Sequence, residues 1–307
     1  MVYNFRMQAK TVLIVLALAI LGYFTTEVVA ENDPYIESID SYRAKRLERL
    51  RSETGWLTIA GFAWLEEGEN SVGTAEGNNV QLPEGTAPAS LGILRLETGA
   101  SPRVVLETNP DVSVHNDDKE ITDSIMIWEE GGGAKEVNTD RGSFWVIPRG
   151  DGYAIRMQDP ECPLLTGFKG IEFYEIDPDY RVVGALIDAP DTLDVPNVMG
   201  YISRMWCPGP VQFTLNGEDH ELFPQLEGDS LFMFVIQDET TGIETYGGGR
   251  YIYCDLESDG TVVIDFNKIY NPPCALNPYS TCALPAERDI LPIALRVGEK
   301  TYHSDDY

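Results

Sequence analysis

Arg250, Asp265, Asn267, Tyr270 and Asn271 are the residues whose types and spacing suit chemistry. An acid two positions from an amide, with a phenol and a second amide close behind, can orient a polar ligand or move a proton. Arg250 follows the triple glycine 247–249 and offers a planar fork of donors to a carboxylate or phosphate. If the chain stays extended, Asp265 and Asn267 point to one face. The same side chains also have a structural use. Asn and Asp cap the backbone of proline-rich loops, and Arg250 could pair with Asp265 inside the fold.

The stretch that carries this cluster, DFNKIYNPPCALNPYSTC at 265–282, is too rich in proline for a regular helix or a ladder strand. Cys274 and Cys282 sit within it, in an irregular segment rather than as C-x-x-C at a helix start, so a loop-closing disulfide is expected before a catalytic dithiol. Such a bridge contributes about 2–4 kcal/mol. Cys162, Cys207 and Cys254 make the count odd, and His115, His220 and His303 are the only histidines. The spacings match no zinc motif, so neither metal nor cofactor is expected. Gly228-Asp229-Ser230-Leu231 spells an esterase signature, but Lys300 rather than an acid stands three residues before His303, which favours a plain turn into a strand. Trp56, Trp64, Trp128, Trp145 and Trp206 fit core positions better than a sugar cleft.

The elements that must position these residues are mostly strands. Residues 1–30 read as a signal peptide: Arg6 and Lys10, an uncharged apolar run from Thr11 to Phe24, then small residues before Glu31. An N-terminal membrane anchor is the alternative, and the mature protein is expected to be secreted or periplasmic. Residues 31–54 hold one helix, Pro34 to Ser52, with Ile39, Tyr42, Arg43, Arg46, Leu47 and Leu50 on the side expected to pack on a sheet. Residues 55–178 read as a β-sandwich. Residues 179–307 read as a second β-sheet or barrel-like unit that carries the Pro-Pro-Cys loop. Asn216-Gly217 marks a hairpin, Leu231 to Gln237 is an almost unbroken apolar strand, and a strand is expected over Thr245 to Tyr253.

The chain carries a formal net charge of −28, and removal of Arg6, Lys10 and Glu27 makes it more negative still. That balance excludes nucleic acid as a partner and a membrane for the mature chain, since both call for clustered positive charge. An acidic, lysine-poor surface suits saline surroundings.

Several motifs, in order, resemble the family of domain of unknown function 1684. They are GWLTIAGFAWLEEGENSVGT at 55–74, NNVQLP at 78–83, GFKGIEFYEIDPDYRV at 167–182, DETTGIETYGGGRYI at 238–252, DFNKIYNPPCALNPYSTCALP at 265–285 and VGEKTY at 297–302. The resemblance implies one recurring architecture and brings no activity with it. The glycine-rich turn followed by NNVQLP also resembles the opening of a forkhead-associated sandwich, without the arginine and serine that read phosphothreonine there.

The expected function is binding of a small polar or anionic ligand by Arg250, Asp265, Asn267, Tyr270 and Asn271. The alternatives are a hydrolase using Asp265, Asn267 and Tyr270, or a structural envelope protein.

Overall fold

The computed structural model describes residues 33–303 except 229, so the expected signal segment lies outside the described residues. The helix runs over Pro34–Arg51. Proline fits its first turn because the missing N–H would be unsatisfied there anyway, and Arg49 and Arg51 complement the negative end of the helix dipole. Its buried residues Ile39, Arg46 and Leu50 share one side. Leu47 and Leu50 pack not on a sheet, as expected, but in a cluster of loop residues with Leu57, Phe168, Ile171 and Leu276.

The protein is mainly β, and residues 59–158 form the expected sandwich of two six-stranded sheets. One sheet is built on Ile59–Trp64, Gly152–Gln158 and Ser143–Arg149, the other on Gly68–Gly73, Gly92–Glu97, Arg103–Thr108 and Ser124–Glu129. Alternation places the core. Along Gly92–Glu97 every second residue is buried, so Leu94 and Leu96 meet Phe144, Val146, Ile155 and Met157 from the facing sheet. Each such side chain contributes about 1.5–3 kcal/mol on burial. With Ile155 and Met157 turned inward, Arg156 projects from the opposite face, directly across from Phe62 on one neighbouring strand and Trp145 on the other.

The C-terminal half has its own core. Arg181–Leu186, Val211–Leu215, Glu218–Leu222 and Thr261–Asp265 form a four-stranded sheet, and Gln225–Glu227, Leu231–Ile236 and Arg250–Asp255 a three-stranded one. Phe213, Phe232, Phe234, Ile252, Ile264 and Phe266 fill the space between them. The Asn216-Gly217 turn has positive φ at both residues (55° and 82°), the geometry whose twist matches a two-residue hairpin. The strand expected from Thr245 starts only at Arg250, because the segment before it folds into turns and Gly249 takes φ 82°.

Leu231–Ile236 is buried on both faces, which explains its unbroken apolar sequence. One face meets the phenylalanine core. The other carries Met233 and Val235 against Tyr251, Tyr270, Cys274 and Cys282, and so seats the Pro-Pro-Cys loop.

Candidate anion cavity

The five residues expected to form a site are not brought together around a ligand. Arg250 is fully buried at the start of its strand. Its Nη1 donates to the carbonyls of Val297 (2.6 Å) and Glu299 (3.1 Å), and its Nη2 to Leu295 O (2.8 Å) and Asp238 Oδ2 (2.9 Å). The internal partner is therefore Asp238 and not Asp265. Asp238 also accepts from the N–H groups of Thr240 and Leu295, which fixes the pair in place. Burial pulls the Arg250 pKa down and Asp238 opposes it. The arginine is a clamp on residues 295–299.

Asp265 and Asn267 are buried too. The strand ends at Asp265, whose carboxylate caps the short 3-10 turn Phe266–Lys268, so the two side chains do not share a strand face. Asn267 accepts from Asp177 N (2.9 Å) and returns a bond to Asp177 O (2.8 Å), which ties this turn to the chain before Arg181–Leu186. Asn271 is wholly buried; its N–H donates to Glu299 Oε2 (2.7 Å) and its Nδ2 to Lys300 O (2.7 Å). These three satisfy loop backbone, as proline-rich chain requires. Of the five, Tyr270 lines a cavity, together with residues of the helix and of the first sandwich sheet.

That cavity has a volume of about 710 Å³. The helix contributes Tyr42, Arg46 and Arg49, and the outer face of the first sandwich sheet contributes Arg149 and Arg156. Met233, Tyr251 and Tyr253 come from the C-terminal sheet, and Lys268, Tyr270 and Cys282 from the segment around the Pro-Pro-Cys loop. Among the described residues, five that line it are cationic and none is an acid, in a chain with more than twice as many acids as bases.

Most of these cations are accounted for. Arg46 donates to Glu299 Oε1 (3.1 Å) and to Asn271 O (2.9 Å), with its guanidinium 4.6 Å from the centre of the Tyr270 ring. Glu299 is itself buried, which pushes its pKa up against the pull of Arg46. Lys268 lies 3.7 Å from Asp265. Arg149 holds Thr281 Oγ1 (2.7 Å) and Pro148 O (2.7 Å), both neutral acceptors.

Arg156 is different. It is 6% exposed, and its Nε and Nη2 are buried without a hydrogen-bond partner among the described residues. Its guanidinium sits 5.1 Å from the Trp56 ring centre. Burial, with Arg149 adding repulsion, lowers its pKa to about 10, so it stays cationic at neutral pH. Nothing in the sequence set it apart: an arginine alternating with core residues reads as a surface charge. The cue is that its cross-strand neighbours are aromatic, not acidic.

The tryptophans are also less hidden than expected. Trp128 is buried, whereas Trp56, Trp64 and Trp206 are 37%, 42% and 54% exposed, and Trp56 forms part of the cavity wall. Tyr270 stacks on Tyr253 and meets Tyr251 edge-on, and burial raises all three phenols, that of Tyr253 to about 12.

All five cysteines are free thiols here. The backbone N–H of Cys274 donates to Cys282 Sγ at 3.1 Å. The two thiols also interact directly, which lowers the pKa of Cys274 and raises that of Cys282.

None of the curated proteins matches this chain. At 31% identity it is similar to an uncharacterized protein from gene locus rrnAC0354 of Haloarcula marismortui, known from a solution NMR structure. That likeness covers 44% of this chain and 77% of the other, with a TM-score of 0.36. Residues 166–300 match the family described as "Protein of unknown function (DUF1684)". The match takes in Tyr270, Cys274 and Cys282 and leaves Arg46, Arg49, Arg149 and Arg156 outside it. The chain belongs to the DUF1684 family.

Proposed function

We propose that the protein binds a small anion in the cavity between the helix, the outer face of the first sandwich sheet and the Pro-Pro-Cys loop. The observation that carries this is Arg156, a buried cation whose Nε and Nη2 have no partner, at a cavity that no acid lines among the described residues. An uncompensated buried charge is costly, and guanidinium cannot shed its proton at neutral pH. An anion supplies the missing partner. Of the five residues first expected to bind it, Tyr270 remains in the reading; Arg250, Asp265, Asn267 and Asn271 build the frame behind it. A hydrolase built on Asp265, Asn267 and Tyr270 has less to support it, because both polar partners of the phenol are committed to loop backbone.

The test is thermal unfolding in rising inorganic phosphate and acetate, for the wild type and Arg156→Gln. A ligand that binds only the folded state raises Tm with its concentration. Excluded anions stabilise every variant alike, so the difference between the two proteins isolates the site. The expected result is an anion-dependent rise that needs roughly tenfold more anion in Arg156→Gln. Parallel curves for the two proteins would sink the reading.

We also propose that the protein is exported and starts at Glu31, with Cys274 and Cys282 joined in an oxidising compartment. In that step the two thiols pass two electrons and two protons to a disulfide oxidant and become one S–S bond. The short approach of Cys274 N–H to Cys282 Sγ supports it by bringing the two ends of the loop together. The intact mass of protein purified from outside the cytoplasm, before and after reduction and alkylation, reads both claims. A chain that keeps residues 1–30, or two thiols that alkylate without reduction, would overturn the corresponding part.

A further inference from the structure

Arg156 borders a second cavity, and its chemistry differs from the first. The second cavity holds about 390 Å³ and shares Thr54, Trp56 and Arg156 with the larger one. Beyond those three its wall is Ile59, Trp145, Ala134 and Gln158, with Glu136 also present. Among the described residues no cation besides Arg156 lines it, whereas four more line its neighbour. Trp145 lies directly across the strand pair from Arg156, so indole and guanidinium leave the sheet from the same face. The Trp56 ring lies against the guanidinium, 5.1 Å from its centre.

The two unpartnered nitrogens of Arg156, Nε and Nη2, form one edge of the guanidinium fork. That edge takes two oxygens of one planar group in parallel. Glu136 makes the second cavity unfavourable for the charge itself, so the charged end belongs on the side of Arg46, Arg49 and Arg149. What can extend past Trp56 and Trp145 is apolar. Binding sites of this size combine a few fixed polar contacts with aromatic walls.

We infer that the ligand is an amphipathic carboxylate, held by its carboxylate on Arg156 and by an alkyl or aryl body against Trp56 and Trp145. This rests on the anion reading above and adds the class of molecule. Indole walls beside a charged anchor give affinity that grows with the apolar surface covered, at about fourfold per buried methylene.

Calorimetric titration of the purified protein with acetate, butyrate, octanoate and 4-phenylbutyrate, and with 4-phenylbutanol as the uncharged control, tests it. In the wild type, affinity should climb along the carboxylates, and the alcohol should bind at least about tenfold more weakly than 4-phenylbutyrate. Trp145→Ala should flatten the climb while leaving acetate within about twofold of wild type. Ala134→Trp, at an exposed position, should flatten it by filling the same space, and covers the case in which Trp145→Ala unfolds. Affinity that does not depend on tail length, or a climb that survives both substitutions, removes the amphipathic ligand and leaves the anion site standing. If no carboxylate binds and phosphate also fails, the anion reading falls with it.

Discussion

Arg250 and Arg156 are both buried guanidiniums on C-terminal or central strands, and the protein treats them in opposite ways. Arg250 has a carboxylate and three carbonyls around it, with each of its two terminal nitrogens donating twice. Through them it holds residues 295–299, whose Glu299 then receives Arg46 and the N–H of Asn271. Arg156 has an aromatic ring, a repelling arginine and two idle donors. The first arrangement meets its charge with a carboxylate inside the fold, leaving only Nε without a hydrogen bond among the described residues, and it holds the fold. The second is open, and it opens onto a cavity. A buried charge marks a site when its partner is missing from the chain, not because it is buried.

Cutting the closed arrangement should have the largest effect on the protein. Asp238→Ala leaves Arg250 charged and unpaired, and breaking a buried pair in this way costs about 3–5 kcal/mol. Urea unfolding of Asp238→Ala should show that loss, while Arg156→Met should show none, since it removes a charge that lacks a partner. Equal destabilisation by the two substitutions would erase the contrast and make Arg156 part of the frame.

A buried acid sharpens the comparison next. Asp289 is 1% exposed, and its carboxylate accepts the N–H of Phe223 at 2.8 Å. Burial raises its pKa to about 7, against smaller pulls from that N–H and from Arg288. A carboxyl without a close counter-ion can take up a proton, an escape closed to Arg156. The folded state therefore binds the proton more tightly than the unfolded chain, whose value lies near 3.8. The stabilisation this gives is fully present below pH 4 and is lost as the pH rises through 7. Asn keeps an acceptor for Phe223 without the charge, so Asp289→Asn should raise stability at pH 8, by an amount on the order of 2–4 kcal/mol. Its unfolding curve should also lose this slope between pH 4 and 7. A wild type and variant with the same pH dependence would mean that Asp289 ionises freely.

The sequence made the frame far more legible than the site. The helix shows in the spacing of Ile39, Arg46 and Leu50, and the sandwich in the alternation around Leu94 and Ile155. The second half shows in Asn216-Gly217 and the unbroken run at Leu231, all local signals of period or turn chemistry. Arg250 looked like a ligand-binding arginine because glycines precede it, yet those glycines serve turns that bury it. Arg46, read as an aliphatic stem, and Arg156, an ordinary strand arginine, are 110 residues apart in sequence. They share a cavity only because the helix, the outer face of the first sandwich sheet and the Pro-Pro-Cys loop line one space. No local pattern encodes that meeting.

The smallest effect belongs to the rim of the cavity, where Arg49 is exposed on the last turn of the helix. It lines the same space as Arg156 but remains hydrated, so its contribution is long-range attraction rather than a fixed contact. Arg49→Gln should weaken phosphate or acetate binding by about two- to threefold at low salt and hardly at all near 1 M salt, where screening is nearly complete. Arg156→Gln should keep its larger deficit under both conditions, because a buried donor pair is screened far less. A deficit in Arg156→Gln that fades with salt in step with that of Arg49→Gln would place both arginines at the surface of the binding event. The distinction between an open buried charge and an ordinary exposed one would then collapse.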